Sequence, residues 1–128
     1  MSAELNHTIV WCRDNERSAQ FLADMLGRPP PKRFHHFMVV ELDNGVSLDF
    51  MTREGAIARQ HYAFLVDDAG FDRGMQRIAD LGLRYWADPA RQREREINHN
   101  DGGRGVYFED PDGHFLEMIT TQYGVPKR

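Results

Sequence analysis

A single cysteine, Cys12, is all the sulfhydryl chemistry this chain has, so no disulfide can close within it and a reducing compartment suits it. An excess of positive charge is missing as well. Sixteen Lys and Arg against twenty Asp and Glu leave a net charge of -4 and a pI near 5.8, which removes the electrostatic basis for gripping nucleic acid or an anionic membrane. No apolar run approaches the roughly 18 residues that a membrane helix needs, and the opening MSAELNH has neither the basic nor the hydrophobic region of a signal peptide. These absences point to a cytoplasmic, soluble globular protein. At 128 residues the chain is long enough to bury about two-thirds of its unfolded surface in one compact domain.

What the sequence does contain is a plan written twice. LNHTIVWC (5–12) alternates like a half-buried strand, and RSAQFLADMLG follows with Phe21, Leu22, Met25 and Leu26 on one helical stripe. Asp14 or Asn15 caps that helix, Gly27 closes it, and Pro29–Pro31 forbid its continuation. FHHFMVVEL and VSLDFMT then read as strands around the turn DNG. The second half repeats the order: HYAFLV is a strand, Asp67 or Asp68 a cap, and Phe71, Met75 and Ile78 a helical stripe ended by Gly82. RGVYFED and HFLEMIT flank the turn PDG. Each half opens with a histidine, His7 or His61, and closes with a carboxylate, Asp49 or Glu117. The reading is a strand–helix–strand–strand–strand unit in tandem, with a long polar loop (88–103) in the second copy.

Strand alternation sorts the side chains onto faces. His7, Ile9 and Trp11 share one face of the opening strand, and Ser47, Asp49 and Met51 share one face of its counterpart. In the second half His61, Ala63 and Leu65 form one row, and Phe115, Glu117 and Ile119 another. A charge on such a mostly apolar face is costly unless it is paired or binds a metal. If each unit curls into half a cup, two histidines and one or two carboxylates converge into a set suited to a divalent ion.

LNHTIV, QHYAFLV and GRGVYFEDPDGHFLEMIT together resemble the vicinal oxygen chelate superfamily of glyoxalase I, extradiol dioxygenases, fosfomycin-resistance thiol transferases and bleomycin-binding proteins. The resemblance covers nearly the whole chain and is nearest in motif to the fosfomycin branch. It implies an α+β fold: one domain over 1–128, made of two βαβββ modules at about 5–55 and about 58–123. Cupped mixed sheets would carry the helices on their outer faces. Carried over residue by residue, it implies that His7, His61 and Glu117 ligate one divalent metal, with Zn, Ni, Mn, Co and Fe all admissible. Asp49 stands roughly where glyoxalase I has a fourth ligand, and is read as that ligand or as a base. Tyr107, ten residues before Glu117, has the spacing of a substrate-contacting tyrosine. Trp11 shares the face of His7 and can wall the cup, though packing on a sheet accounts for either aromatic equally well.

The implied activity is that of a metal-dependent enzyme activating a small oxygen-bearing substrate by chelation, as an isomerase, lyase, thiol transferase or dioxygenase. The alternative is a metal-free protein that sequesters a drug or an aromatic molecule. A homodimer is expected, since two half-cups can close on each other or on those of a second chain. Departures from the fosfomycin enzymes are visible. Ile9 replaces their threonine, Ala87 their lysine after Trp86, and Asp101 and Gly105 the serines of their potassium loop. His35 and His36 are read as surface residues, His99, Asn100 and Arg104 as weak candidates for substrate contacts, and RQRERE as a solvated stretch.

Overall fold

The computed structural model describes residues 1–122, so position 123, the far edge of the second module read above, lies outside the described residues. The chain falls into two compact units, Met1–Ala58 and Arg59–Arg128.

The first unit runs β1 (His7–Cys12), α1 (Asn15–Leu26), β2 (Lys32–Phe34), β3 (Phe37–Glu41) and β4 (Ser47–Thr52). Its sheet has the order β1-β4-β3-β2, with β1 and β4 parallel and the other pairs antiparallel. Asp14 caps α1 by accepting from the backbone N–H groups of Glu16 and Arg17, and Gly27 ends it in the left-handed conformation at φ 66°. Ala19, Leu22, Ala23 and Met25 are the buried apolar residues of the helix, and α1 packs against β1, β3 and β4. Asp14→Ala leaves two N–H groups without acceptors and is expected to cost about 1 kcal/mol in chemical denaturation.

FHHFMVVEL is not one strand. His35 has φ 53° and, with His36, forms the turn that folds β2 back onto β3. A histidine tolerates this left-handed geometry better than its apolar neighbours do. Both histidines are exposed, as the sequence suggested.

The second unit runs β5 (His61–Leu65), α2 (Asp68–Asp80), β6 (Tyr85–Trp86), a short 3-10 turn at Asn100–Gly102, β7 (Gly105–Glu109) and β8 (Phe115–Ile119). Its sheet, β5-β8-β7-β6, repeats the first, with β5 and β8 parallel. Asp67, rather than Asp68, caps α2 by accepting from Gly70 N–H. Phe64, Phe71, Ile78, Val106, Phe108, Leu116 and Met118 are buried. Among the described residues the fold is therefore the tandem α+β arrangement expected, two α-helices and two four-stranded mixed sheets.

The turn between β7 and β8 aims Glu117. Asp110 Oδ1 accepts from the N–H groups of Asp112 and His114, both at 2.9 Å. The buried His114, which the sequence reading passed over, accepts from Gln60 N–H on Nδ1 at 3.0 Å. It thereby pins the approach to β5 against the start of β8. Burial, ahead of its neighbours' charges, raises the Asp110 carboxyl above its ordinary 3.8. A carboxyl raised on folding lends stability at low pH that is lost as pH rises through its folded value. Asp110→Asn keeps the acceptor and drops the charge. Its stability relative to the parent is expected to improve from pH 4 toward pH 7 in urea titrations, and a constant difference contradicts this.

Candidate metal centre

Strand alternation delivers the candidate residues as read. On β1, Val10 and Cys12 are buried while His7, Ile9 and Trp11 are exposed. On β8, Leu116 and Met118 take the core side, and Glu117 stands on the other face with Phe115 and Ile119. Yet Glu117 is only 5% exposed, an expensive position for a carboxylate without a counterion.

The second unit brings Glu117 and His61 together, with His61 Nε2 3.2 Å from Glu117 Oε1. The other ring nitrogen, Nδ1, lies 2.9 Å from the backbone oxygen of Phe115. A carbonyl can only accept, so Nδ1 carries a hydrogen and Nε2 is the ring nitrogen that faces the carboxylate. Two electron-pair donors facing each other need a cation between them, either a proton or a metal. Tyr107 lies beside Glu117 across the β7–β8 register. Its ring stacks on those of His61 and Phe115, with centroids 6.1 Å and 5.3 Å away.

The first unit carries its own histidine and carboxylate. His7 Nδ1 lies 2.7 Å from Asn6 Oδ1, so Nε2 is the ring nitrogen turned away from that contact. Asp49 shares the face of His7, and Ser47 Oγ donates to its Oδ1 at 3.0 Å. A concavity of about 540 Å³ opens on this face, lined by His7, Ile9, Phe34, Phe37, Ser47 and Asp49 among others. Trp11 lies further along the same strand face, with the Arg53 guanidinium 5.2 Å from its ring centre. Among the described residues, no three His, Cys, Asp or Glu side chains are gathered as one metal-binding group. Each unit presents a pair.

A profile of the Glyoxalase/Bleomycin resistance protein/Dioxygenase superfamily matches residues 4–118. The chain belongs to this superfamily. Among solved structures, oxidase ChaP-H1 is 58% identical, covering 97% of this chain and 100% of that one at a TM-score of 0.94. Glutathione transferase FosA of Serratia marcescens is 29% identical over 92% of this chain and 81% of its own length. Fosfomycin resistance protein FosX of Mesorhizobium japonicum is 44% identical over 61 residues, which are 47% of this chain and only 38% of that protein. A FosX from Listeria monocytogenes, 19% identical with a TM-score of 0.68 over 96% of both chains, shares the fold and was solved with Mn(II).

The weaker candidates separate. The Arg104 guanidinium is paired with Asp72 at 2.7 Å and Asp68 at 3.0 Å, which accounts for its charge within the structure. Asn98 is buried and donates to Ala87 O. A Cβ on Gly105 would come within 2.7 Å of Asn98 Oδ1. The serine of the fosfomycin potassium loop therefore has no room here unless Asn98 moves. Nor is RQRERE simply solvated. Arg91 lies with its guanidinium 4.0 Å from the ring centre of Phe115 and 5.4 Å from that of Trp86. Alternating charges in a polar loop gave no sign of this, because the contact is made by a bend of the loop rather than by strand or helix periodicity.

Proposed function

We propose that this protein is a metal-dependent, oxygen-using enzyme of the oxidase type. In this reading His7, His61 and Glu117 hold one divalent ion, and Fe(II) is the metal. The observation that carries it is the His61–Glu117 pair, an imidazole held at Nδ1 by Phe115 O with its Nε2 3.2 Å from a nearly buried carboxylate. Two imidazoles and one carboxylate form the donor set that leaves positions open for substrate and oxygen on non-haem iron. Whole-chain identity to a protein named as an oxidase supports the same choice of chemistry. The half-sites close on one ion within a chain or between the chains of a homodimer.

When bound, the metal supplies Lewis acidity toward two neighbouring oxygens of the substrate. The chain's own residues do the rest. Phe115 O and Asn6 Oδ1 hold the rings of His61 and His7. Ser47 fixes one oxygen of Asp49, leaving the other to take a proton from a substrate hydroxyl as general base. Tyr107 and Phe115 give a flat apolar wall beside the pair.

The test is anaerobic reconstitution with Fe(II) followed by nitric oxide, an oxygen surrogate. A high-spin iron–nitrosyl EPR signal at about one spin per site is expected, strengthened or shifted by a catechol. Its absence from iron-loaded protein overturns the reading. A metal-free sequestering protein would instead bind aromatic ligands equally well after chelation.

A further inference from the structure

The loop after Trp86 places a cation on the aromatic wall, at some cost. Arg91 is a non-glycine residue at φ 57°, a left-handed conformation that strains any side chain with a Cβ. Asp88 holds it there. Its backbone oxygen accepts from Arg91 N–H, and its carboxylate accepts from the N–H groups of Gln92 and Arg93 at 2.8–3.1 Å. The Arg93 N–H chiefly, and then that of Gln92, keeps this carboxyl below its ordinary range. The strained bend is thus built in rather than incidental.

The bend points the Arg91 side chain back over the sheet face that bears the metal pair. Its guanidinium covers Phe115, which is the register partner of His61 and lies two residues before Glu117 on the same face. Glu109 offers partial neutralisation from 3.6 Å, beyond hydrogen-bond distance. Glu109 is also the register partner of Phe115. The side chain stays about two-fifths exposed, at 39%. Five N–H donors in a rigid fork are therefore presented at the edge of an aromatic wall whose other edge is the metal pair.

We propose that Arg91 is a specificity-determining residue, donating to an anionic oxygen on the end of a flat substrate remote from the metal. The substrate class is an aromatic vicinal diol or hydroxyketone with a carboxylate or comparable anion on a distant ring position. One end chelates and stacks along Tyr107 and Phe115; the other meets the guanidinium. Glu109 competes with that anion, so it weakens the contact and disfavours neutral substrates less than anionic ones. The inference rests on the metal reading above, and the test separates the two.

Two probes are compared by calorimetry on Zn(II)-loaded protein: a naphthalene vicinal diol, and the same diol carrying a sulfonate on its second ring. The sulfonate is expected to bind about tenfold tighter to the parent protein, the range of one charge-assisted hydrogen bond. Arg91→Gln should bring the ratio near one while the neutral diol binds as before, Arg91→Lys should keep part of the preference, and Glu109→Gln should enlarge it. A preference absent from the parent, or unchanged in folded Arg91→Gln, overturns the proposal. Repeating both titrations after chelation tests the metal reading by itself. Loss of diol affinity supports it, whereas unchanged affinity of both probes refutes it whatever Arg91 does.

Discussion

Glu117→Gln is expected to lower affinity for a divalent metal by about 100-fold or more, while leaving the metal-free protein as stable as the parent or slightly more so. The two signs have one cause. A carboxylate at 5% exposure gives up its hydration, and its hydrogen-bond partner among the described residues is His61 Nε2 at 3.2 Å. Without a metal, the desolvation of a buried charge is poorly repaid. Glutamine has the same shape and keeps a hydrogen-bonding partner for His61 Nε2 without burying a charge, so the metal-free site is satisfied at least as well. His61 is 48% exposed and is not stranded as a buried charge by the change. With a metal the balance inverts, because an amide oxygen is a much weaker ligand than a carboxylate. Changes even in the outer sphere of a metal site typically cost 10- to 100-fold, and loss of a direct ligand should exceed that. Competitive chelator titration and thermal melts in EDTA read the two halves separately. A Gln variant that is destabilised without metal, yet binds it normally, would make Glu117 a structural residue.

The largest effect on stability is expected from Phe71→Ala, about 3–5 kcal/mol in urea denaturation. Phe71 is wholly buried on α2, and its ring also carries the Arg104 guanidinium at 4.4 Å. That guanidinium is tied to Asp68 and Asp72 on the same helix. Removing the ring leaves a cavity and takes away the surface over which this ion-pair cluster is laid. A total stability of about 5–15 kcal/mol makes such a loss severe. Phe34→Ala, at a residue 60% exposed, is the control and is expected to change stability by less than about 1 kcal/mol. Similar losses in both variants would mean that burial does not order these side chains as described.

How far the sequence could be read depended on whether a feature is periodic. Alternation put His7 with Ile9 and Trp11, and Glu117 with Phe115, because a strand allows no other assignment once its core face is known. The helices were legible from apolar spacing and terminal residues, with the second cap, left open between Asp67 and Asp68, falling on Asp67. One residue of slack at a helix start is beyond what spacing resolves. The turn at His35 and His36 was hidden because no glycine or proline marks it, and a histidine carries the positive φ. His114, Asn98 and Arg91 were invisible for a related reason. Each acts through a contact between segments distant from any periodic signal: His114 with Gln60, Asn98 with Ala87, Arg91 with Phe115. The ligand motif could not choose among reaction classes, because two histidines and a carboxylate serve oxygen chemistry, isomerisation and thiol transfer alike.

The central claim is that residues from both units hold one ion. The most direct measurement is the metal content of native protein, purified without chelator or histidine tag, beside His7→Ala. His7 lies in the first unit, whereas His61 and Glu117 lie in the second. The account predicts about one iron per site in the parent and its loss in His7→Ala, with no change in the far-ultraviolet circular dichroism. A parent protein that neither contains nor takes up a divalent metal, or a His7→Ala variant that retains it at parental affinity, would contradict the account.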